Sequence, residues 1–325
     1  MHEPFVSVIM PIRNEEAFIA RSLGAVLTQD YPADKIEVLI ADGMSDDKTL
    51  EIIRALPGAD RVHVIDNPAY IQTAGLNRAI PHTRGEIIIR VDGHTVIAPD
   101  YVRQCAQTLE QTGAQNVGGP MNPIGITPMG KAIAIAGKSS FAVPTAFHVT
   151  QKAQDTDTVY LGAWRREIFD RVGLFNEHVN INEDYEFNYR IIKAGGRVYL
   201  NPAIQSQYFG RQTITALAHQ YFRYGMVKVK TLHTHPGSLK LRHLVAPVFV
   251  AGVLIGGVLS LFHPLFALLW LAGITVYGGL NLFFSLKAAP NFEWRIPLVF
   301  LTIHITWGSG FWIGLFRGMK RSFTN

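Results

Sequence analysis

Apolar and polar residues alternate along the first hundred positions as they do where strands and helices follow one another in α/β proteins. Short, largely β-branched runs predict buried strands at residues 6–10, 36–41, 62–65 and 87–91. Helical spacing of apolar residues predicts helices from Asn14 to about Thr28, from Ser45 or Asp46 to Leu56, and from Ile71 to Ile80. Strands that alternate with helices form a parallel sheet with right-handed crossovers. The pattern therefore predicts an α/β fold, followed by a loop-rich segment at residues 118–157.

Two long runs near the end of the chain contain no Asp, Glu, Lys or Arg, at residues 244–286 and 296–316. A helix needs about 20 apolar residues to cross a bilayer. The first run is long enough for two such helices with a break at His263-Pro264, and the second for one. The sequence therefore predicts membrane segments at about 244–262, 265–286 and 296–316.

The positive charge of the chain is placed around these apolar runs. The formal net charge is +5, and basic residues flank the membrane region: Lys228, Lys230, Lys240 and Arg242 before it, Arg317, Lys320 and Arg321 after it. Basic residues mark the cytoplasmic ends of membrane helices, so we assign this charge to a membrane partner and expect no nucleic acid. Both ends are then cytoplasmic, which three full spans do not allow. We therefore expect Gly308-Ser309-Gly310 to break the last segment, making it re-entrant or interfacial.

Two further features bear on the compartment. Residues 1–4 show no basic segment followed by an apolar stretch, so no secretory signal is visible. Cys105 is the only cysteine and can form no internal disulfide, which fits a reducing compartment. Together they indicate that the folded domain ahead of the membrane segments faces the cytoplasm.

The candidate chemistry begins at Asp92-Gly93-His94, directly after the apolar run 87–91. Ligands of open α/β sheets bind at the carboxyl ends of the strands. Residues two apart on an extended backbone point to the same face, so Asp92 and His94 are placed to share one divalent cation with a diphosphate. The alternative is a strand followed by an ordinary turn.

The familiar phosphate-binding signatures are missing from this chain, since neither G-x-G-x-x-G nor G-x-x-x-x-G-K-[ST] occurs. A metal on Asp92 and His94 would hold phosphates without them. Asp42, at the end of the second predicted strand, is placed to accept a hydrogen bond from a base ring N–H. The alternative for Asp42 is a turn-forming Asp before Gly43.

Five segments match one known family in order and at family-like spacing: VSVIMPIRNEE, ADGMSDDKT, GEIIIRVDGHT, NEDYEFNYRI and HQYFRYG. The chain resembles the inverting glycosyltransferases of family 2, which have the GT-A fold. It is most similar to the bacterial membrane enzymes of exopolysaccharide assembly, the succinoglycan-type glycosyltransferases. The resemblance covers roughly residues 4–235, and five ordered motifs make it specific.

The resemblance implies a role for individual residues of the donor site. Pro11, Arg13 and Glu15 lie where the first loop of the family meets the nucleoside. Asp42 matches the Asp that binds the uracil ring, and Asp47 matches the second Asp of that motif.

Asp92 and His94 stand where the family usually carries the Asp-x-Asp that holds Mg²⁺ or Mn²⁺ on the diphosphate. The imidazole favours Mn²⁺ over Mg²⁺. Gln220, Arg223 and Tyr224 match the family's Gln-x-x-Arg-Trp, with Tyr in place of Trp.

On the acceptor side, the resemblance places Asp184 at the position of the catalytic base, which takes the proton of the acceptor hydroxyl. The helix that Glu183-Asp184 begins is predicted to bury Phe187, Ile191 and Ile192. The alternative for Asp184 is a stabilising charge at a helix N-terminus. Glu183 is a weaker candidate for the acceptor side.

Four other side chains have two interpretations each. Trp164 either stacks on an acceptor sugar or packs in the core. Arg223 either grips the diphosphate or lies on lipid headgroups. His233 and His235 fit an interfacial position better than a metal site.

The resemblance implies a metal-dependent hexosyltransferase with a GT-A catalytic domain at residues 1–210, an amphipathic interface helix region at 211–243 and membrane segments at 244–325. It would move a sugar from a UDP-linked nucleotide sugar to a polyprenyl-diphosphate-linked saccharide at the inner membrane. Alternatives are a polyprenyl-phosphate glycosyltransferase, a processive synthase and a non-catalytic membrane scaffold. His94 disfavours the first, since those enzymes carry Asp-x-Asp. The small number of spans disfavours the second, and Asp42, Asp92 and Asp184 together disfavour the third.

Overall fold

The computed structural model describes residues 3–142, 152–179, 183–234 and 236–322. Its strands are β1 Val6–Ile12, β2 Ile36–Asp42, β3 Val62–Asp66, β4 Ile87–Arg90, β5 Thr95–Ile97, β6 Asn116–Gly119, β7 Met121–Ile124, β8 Gln154–Asp155, β9 Tyr160–Arg165, β10 Val198–Leu200 and β11 Ser206–Phe209. Its helices are α1 Ile19–Leu27, α2 Thr49–Ala55, α3 Gln72–Ala79, α4 Tyr101–Thr112, α5 Pro128–Gly137, α6 Glu167–Val172, α7 Glu183–Lys193, α8 Ile214–Thr234, α9 Val245–Leu259, α10 Pro264–Ala288 and α11 Arg295–Ser322.

The main sheet has the strand order β3-β2-β1-β4-β9-β6-β10-β8. Strands β1 to β4 pair in parallel, with α1, α2 and α3 as the crossovers, which confirms the predicted alternation. β9 joins this half antiparallel to both β4 and β6. The carboxyl ends of β1, β2 and β4 therefore meet along one edge of the sheet.

The first strand continues two residues beyond the predicted end, through Pro11 to Ile12. Pro11 is opposite Ala41 of β2, whereas the register of β1 with β4 ends at Ile9. Proline has no N–H to donate, so it is accommodated where only one neighbouring strand is paired.

The first helix begins later than predicted, at Ile19 rather than near Asn14. Asn14 has a positive φ of 54°, and its side chain bonds Asp46 in the loop after β2. Because these residues connect two loops, they are unavailable for a helical turn.

The segment predicted to be loops, residues 118–157, contains the helix α5 and short strands in the part that the structure describes. The Thr127 hydroxyl caps α5 by accepting a hydrogen bond from the Gly130 N–H at 2.9 Å, and Pro128 occupies the first turn. Thr followed by Pro is a helix-start signal that the sequence analysis passed over.

Two compact units divide the chain: Met1–Asn122 with Thr150–Phe209, and Pro123–Val149 with Gly210–Asn325. The second unit therefore includes residues 123–149, which the predicted domain boundary at 210 assigned to the catalytic part. Within the second unit, Phe141 connects this segment to the long apolar helices, because its ring contacts Phe284, Phe300 and His304.

Three helices of the second unit are long and apolar enough to cross a membrane: Leu241–Leu259, Pro264–Ala288 and Arg295–Arg317. These agree with the predicted segments. The expected break at Gly308-Ser309-Gly310 is wrong, because α11 runs through it as one continuous helix. Of the two clustered histidines, His235 lies outside the described residues, and the side chain of His233 is not described.

The glycines of α11 are explained by close helix packing. A Cβ on Gly308 would lie 2.5 Å from the Ala246 carbonyl oxygen, and one on Gly310 would lie 2.1 Å from that of Phe222. On the facing helix α8, a Cβ on Gly225 would lie 2.1 Å from the Trp307 carbonyl oxygen. Small residues at these positions let the helix backbones approach closely, which is also how membrane helices pack.

We expect Gly310→Ala to destabilise the second unit, by about 1–3 kcal/mol, because the added methyl group overlaps the α8 backbone. Thermal unfolding in detergent measures this. Gly278→Ala on α10 is the matched control, since a Cβ there meets nothing within 4 Å and alanine is the better helix former. Equal melting temperatures for the two variants would contradict this explanation of the glycines.

Candidate active site

Two loops at the carboxyl edge of the sheet are joined by reciprocal hydrogen bonds. The Asn14 side chain donates to the Asp46 carboxylate at 2.7 Å and accepts from the Asp46 N–H at 3.0 Å. The Asn14 N–H bonds the Ser45 hydroxyl at 2.9 Å, and the Glu15 N–H bonds the Thr49 hydroxyl at 2.7 Å. These hydrogen bonds therefore join the loops after β1 and β2 into one surface, where the family resemblance predicts the nucleoside.

Asp42 and Asp47 both shape the second loop. Asp42 is buried and accepts two hydrogen bonds from Ser45, from the hydroxyl at 2.5 Å and the N–H at 3.0 Å. Asp47 accepts the N–H of Thr49 at 2.9 Å and that of Glu16 at 3.2 Å. Burial acts to raise the pKa of Asp47, but these hydrogen bonds outweigh it and lower the pKa. The turn-forming role is therefore present for Asp42, and its contact with a base stays a prediction.

Of the other first-loop candidates, Pro11 is buried within β1, whereas Arg13 is exposed. The Arg13 guanidinium lies 4.7 Å from the centroid of the Tyr70 ring. Tyr70 follows β3, is 52% exposed and has a positive φ of 61°. An exposed aromatic ring in a strained turn is a feature of binding sites, and the sequence analysis did not select it.

Asp92 is held at the end of β4 by Arg90. The Arg90 Nε donates to Asp92 Oδ1 at 2.7 Å, and its Nη2 donates to Oδ2 at 3.2 Å. Gln72, the first residue of α3, donates to Asp92 Oδ1 at 3.2 Å. A carboxylate can accept about four hydrogen bonds or ligands, so these contacts orient Asp92 without exhausting its acceptor sites.

The His94 ring is fixed by Glu15. Its Nδ1 lies 2.7 Å from Glu15 Oε1, and its ring packs edge-on to Tyr208 with centroids 5.4 Å apart. Gly93 keeps space for this contact, since a Cβ there would lie 2.7 Å from Glu15 Cγ. A carboxylate on one ring nitrogen is the usual support of a metal-binding histidine. In the structure the Glu15 carboxylate contacts His94, and the predicted contact of Glu15 with the nucleoside stays a prediction.

The acceptor-side candidates stand at the start of α7. Asp184 is half-buried and Glu183 is buried. Glu183 Oε1 accepts from Arg90 Nη1 at 2.8 Å, so its carboxylate is committed to an ion pair rather than open to an acceptor. Phe187 and Ile191 of α7 are buried as predicted, but Ile192 is 42% exposed because it faces away from the sheet.

The pKa of the Asp184 carboxyl lies near neutral pH, which suits a general base. Burial and the adjacent Glu183 carboxylate raise the pKa of Asp184 from 3.8 to about 7, against the opposing charge of Arg90. General bases work best when their pKa lies near the operating pH. The helix that carries Asp184 is anchored by Asn188, which bonds Asn116 at 2.7 Å and Thr158 at 3.0 Å.

Trp164 packs in the core and does not face an acceptor. It is 1% exposed, and its ring meets those of Phe169, Phe175 and Phe187 edge to face. Stacking on a sugar requires an open ring face, so the sugar-binding interpretation is wrong. This aromatic cluster instead supports the inner side of α7.

Gln220, Arg223 and Tyr224 lie on α8 of the second unit. The Gln220 amide donates to the Tyr224 hydroxyl at 2.7 Å, one helical turn away, and Arg223 is exposed. Their contact with a nucleotide sugar stays a prediction.

Comparison with known proteins supplies the family. Residues 7–173, more than half of the chain, match the family described as glycosyl transferase family 2. The chain belongs to glycosyl transferase family 2. Its relatives include the succinoglycan biosynthesis protein ExoA of Rhizobium meliloti (strain 1021), 29% identical over 97% of this chain and 96% of that protein.

A second relative is 28% identical over 69% of this chain and 73% of its own length. It is the dolichyl N-acetyl-alpha-D-glucosaminyl phosphate 3-beta-D-2,3-diacetamido-2,3-dideoxy-beta-D-glucuronosyltransferase of Methanococcus voltae. Among solved structures, the mannosyltransferase PcManGT from Pyrobaculum calidifontis, in complex with GDP-Man and Mn²⁺, superposes with a TM-score of 0.63. It is 19% identical and is matched over 97% of this chain and 88% of its own. The predicted GT-A fold is confirmed.

Arg90 is the main residue of this site that the sequence analysis missed. It stands inside the recognised motif but on a run of β-branched residues, where it looks like part of a strand. An Arg in an otherwise apolar, buried run of residues requires charged partners, and that rule was the available signal.

Proposed function

We propose that this glycosyltransferase is an inverting, metal-dependent hexosyltransferase of cell-surface glycan synthesis. It transfers a sugar from a UDP-linked donor to a polyprenyl-diphosphate-linked saccharide. The observation that carries the proposal is the Arg90 ion-pair cluster, which joins the donor-side Asp92 to the helix that bears Asp184. The cluster thus connects Asp92 of the proposed donor site to the helix that carries the proposed base Asp184.

The reaction requires one group to accept a proton. Asp184 takes the proton of the acceptor hydroxyl while that oxygen attacks C1 of the donor sugar from the face opposite the diphosphate. The C1–oxygen bond to the diphosphate breaks as the new glycosidic bond forms, so the configuration at C1 inverts. A pKa of about 7 for Asp184 suits this proton transfer.

The charge of the cluster supports a divalent cation. Asp92 and Glu183 together exceed the positive charge of Arg90 by one negative charge, and Asp184 adds a second when it is deprotonated. Asp92 and His94 are the residues that would hold Mn²⁺ or Mg²⁺, with His94 using Nε2 because Nδ1 bonds Glu15. Such a cation neutralises charge that develops on the leaving diphosphate.

The donor set fits a shared site rather than a complete protein cage. Among the described residues, no three His, Cys, Asp or Glu side chains converge to hold a metal by themselves. Cations on nucleotide diphosphates usually take one or two protein ligands and complete their shell with phosphate oxygens and water. PcManGT was solved in complex with GDP-Man and Mn²⁺, which is consistent with this arrangement.

A membrane-bound acceptor is supported by the three apolar helices and by the relatives. One relative acts in succinoglycan biosynthesis, and the other is named for a dolichyl-phosphate-linked sugar. The basic residues ahead of the first apolar helix, among them Lys240 and Arg242, support a position of the catalytic unit on the cytoplasmic face of the inner membrane.

The test is UDP release by the 325-residue protein in detergent with Mn²⁺ and a panel of UDP-sugars. We expect release to rise when a polyprenyl-diphosphate-linked saccharide is added, with a β-for-α or α-for-β change at C1 in the product by NMR. Polyprenyl phosphate alone, offered as the second acceptor, should stay at the background of hydrolysis. Preferential use of the bare lipid phosphate would establish the alternative reaction, and retention at C1 would exclude an inverting mechanism.

A further inference from the structure

Arg90 occupies the centre of a buried ion-pair cluster. Its guanidinium binds both oxygens of Asp92, at 2.7 and 3.2 Å, and Glu183 Oε1 at 2.8 Å. The three side chains are 7%, 10% and 9% exposed, in the order Arg90, Asp92 and Glu183. All the charges of this cluster are thus removed from bulk water.

Such a cluster is a poor way to stabilise a fold. Desolvation of buried charges offsets most of their attraction, and hydrophobic replacements of similar volume are often neutral or stabilising. The two carboxylates that Arg90 joins are also far apart in the chain: Asp92 is two residues after Arg90, whereas Glu183 is 93 residues after it. The link therefore points to a role for Arg90 other than stabilising the fold.

The link connects the two halves of the proposed reaction centre. Asp92 follows β4 and stands on the donor side, whereas Glu183 opens α7 and is followed directly by Asp184. The planar guanidinium fork fixes the direction of each N–H, unlike the flexible ammonium of lysine. One side chain therefore sets the orientation of both carboxylates.

We propose that Arg90 is a positioning residue that sets the distance between the donor diphosphate and the base Asp184 by holding Asp92 and Glu183 together. The inference rests on the proposed function. If Arg90 has this role, the donor and acceptor halves of the site are aligned before either substrate binds. Such alignment contributes much of the rate acceleration of a two-substrate reaction.

The first variant is Arg90→Lys, which keeps the charge but cannot bind three oxygens through a planar fork. We expect kcat to fall by about 10²-fold, the usual effect of a displacement of about 1 Å at a reacting centre. The KM for the UDP-sugar should change less than kcat, because Asp92 remains charged. Binding of UDP with Mn²⁺, measured by calorimetry, should show the same small change.

The second variant is Glu183→Met, which breaks the same link from the acceptor side because the Met side chain is of similar length but has no oxygen to accept from Arg90. If Arg90 acts through Glu183, the double variant Arg90→Lys/Glu183→Met should turn over no more slowly than the worse single variant. Independent roles would instead multiply the two losses. Glu183→Met also serves if Arg90→Lys fails to fold, since full turnover in that variant alone overturns the proposal.

The matched control is Arg190→Lys on the same helix. Arg190 forms the same two-pronged contact with a buried carboxylate, to Glu186 at 2.9 and 3.0 Å, and its other hydrogen bonds go to the carbonyl oxygens of Val172 and Leu174. We expect Arg190→Lys to lower the melting temperature as Arg90→Lys does, while kcat is retained.

A loss of kcat in the Arg190 variant equal to that in the Arg90 variant overturns the positioning role, as does a multiplicative double variant. If the wild-type protein transfers sugar and the cycle is multiplicative, only this inference fails. If the wild-type protein transfers no sugar to any offered acceptor, the proposed function fails with it.

Discussion

Asp184→Asn is expected to lower kcat by about 10²–10⁴-fold, the usual contribution of a general base. The amide keeps the shape of the carboxylate but cannot take a proton near neutral pH. The dissociation constant for UDP with Mn²⁺ should hardly change, because Asp92, His94 and Asp42 are intact. Loss of kcat and kcat/KM together, with binding retained, is the signature of an interaction made in the transition state.

The pH dependence gives an independent check of the same residue. A base must be deprotonated, so kcat/KM should rise with pH through the pKa of Asp184, about 7 in the free protein. The folded state binds this proton more tightly than the unfolded state, where the pKa is near 3.8. Stability from this group is therefore present below pH 4 and lost as the pH rises through about 7. Asp184→Asn should remove that loss, and the variant should melt higher than the wild type at pH 8.

A role of Asp184 in helix stability alone predicts the opposite pattern. The Asn variant would then be less stable by about 1 kcal/mol with nearly full turnover. Asp170→Asn, an exposed acidic residue in the first turn of α6, is the control and should change neither property. A stable and fully active Asp184→Asn protein would remove Asp184 from the mechanism.

His94→Ala is expected to weaken the Mn²⁺-dependent binding of UDP by at least about 10–100-fold. Glu15→Gln should produce a loss within that range, because partners that orient a metal-binding histidine usually contribute this much to metal affinity. Calorimetric titration of UDP at a series of Mn²⁺ concentrations measures both. The thermal stability of the proteins should stay close to that of the wild type, since His94 is partly exposed.

A control variant and a variant that restores the family's usual metal ligand test this prediction further. His63→Ala, an exposed histidine of β3, should leave the Mn²⁺ dependence unchanged. His94→Asp together with Glu15→Gln restores the family's usual residue without a like charge beside it, and should shift the preference from Mn²⁺ toward Mg²⁺. An unchanged Mn²⁺ dependence in His94→Ala would show that His94 is not a ligand.

Local patterns in the sequence determined the four parallel strands β1 to β4, their crossover helices and the three long apolar helices. Burial on both faces of a parallel sheet produces a continuous β-branched run, and a membrane span produces an uncharged one. Both signals are contained in a few adjacent residues. The same is true of Asp92 and His94, which become candidates because a polar tripeptide follows a buried strand.

Only the tertiary structure decided what these residues contact. Glu15 supports His94 across 79 positions, and Arg90 joins Glu183 across 93. Trp164 is a core residue because three Phe rings surround it. Gly310 is a glycine within a continuous helix because a side chain there would overlap the α8 backbone. Side-chain pairing and close packing depend on residues that are distant in sequence. Periodicity and composition report a residue's own environment but not the identity of its neighbours, so these contacts could not be predicted from the sequence.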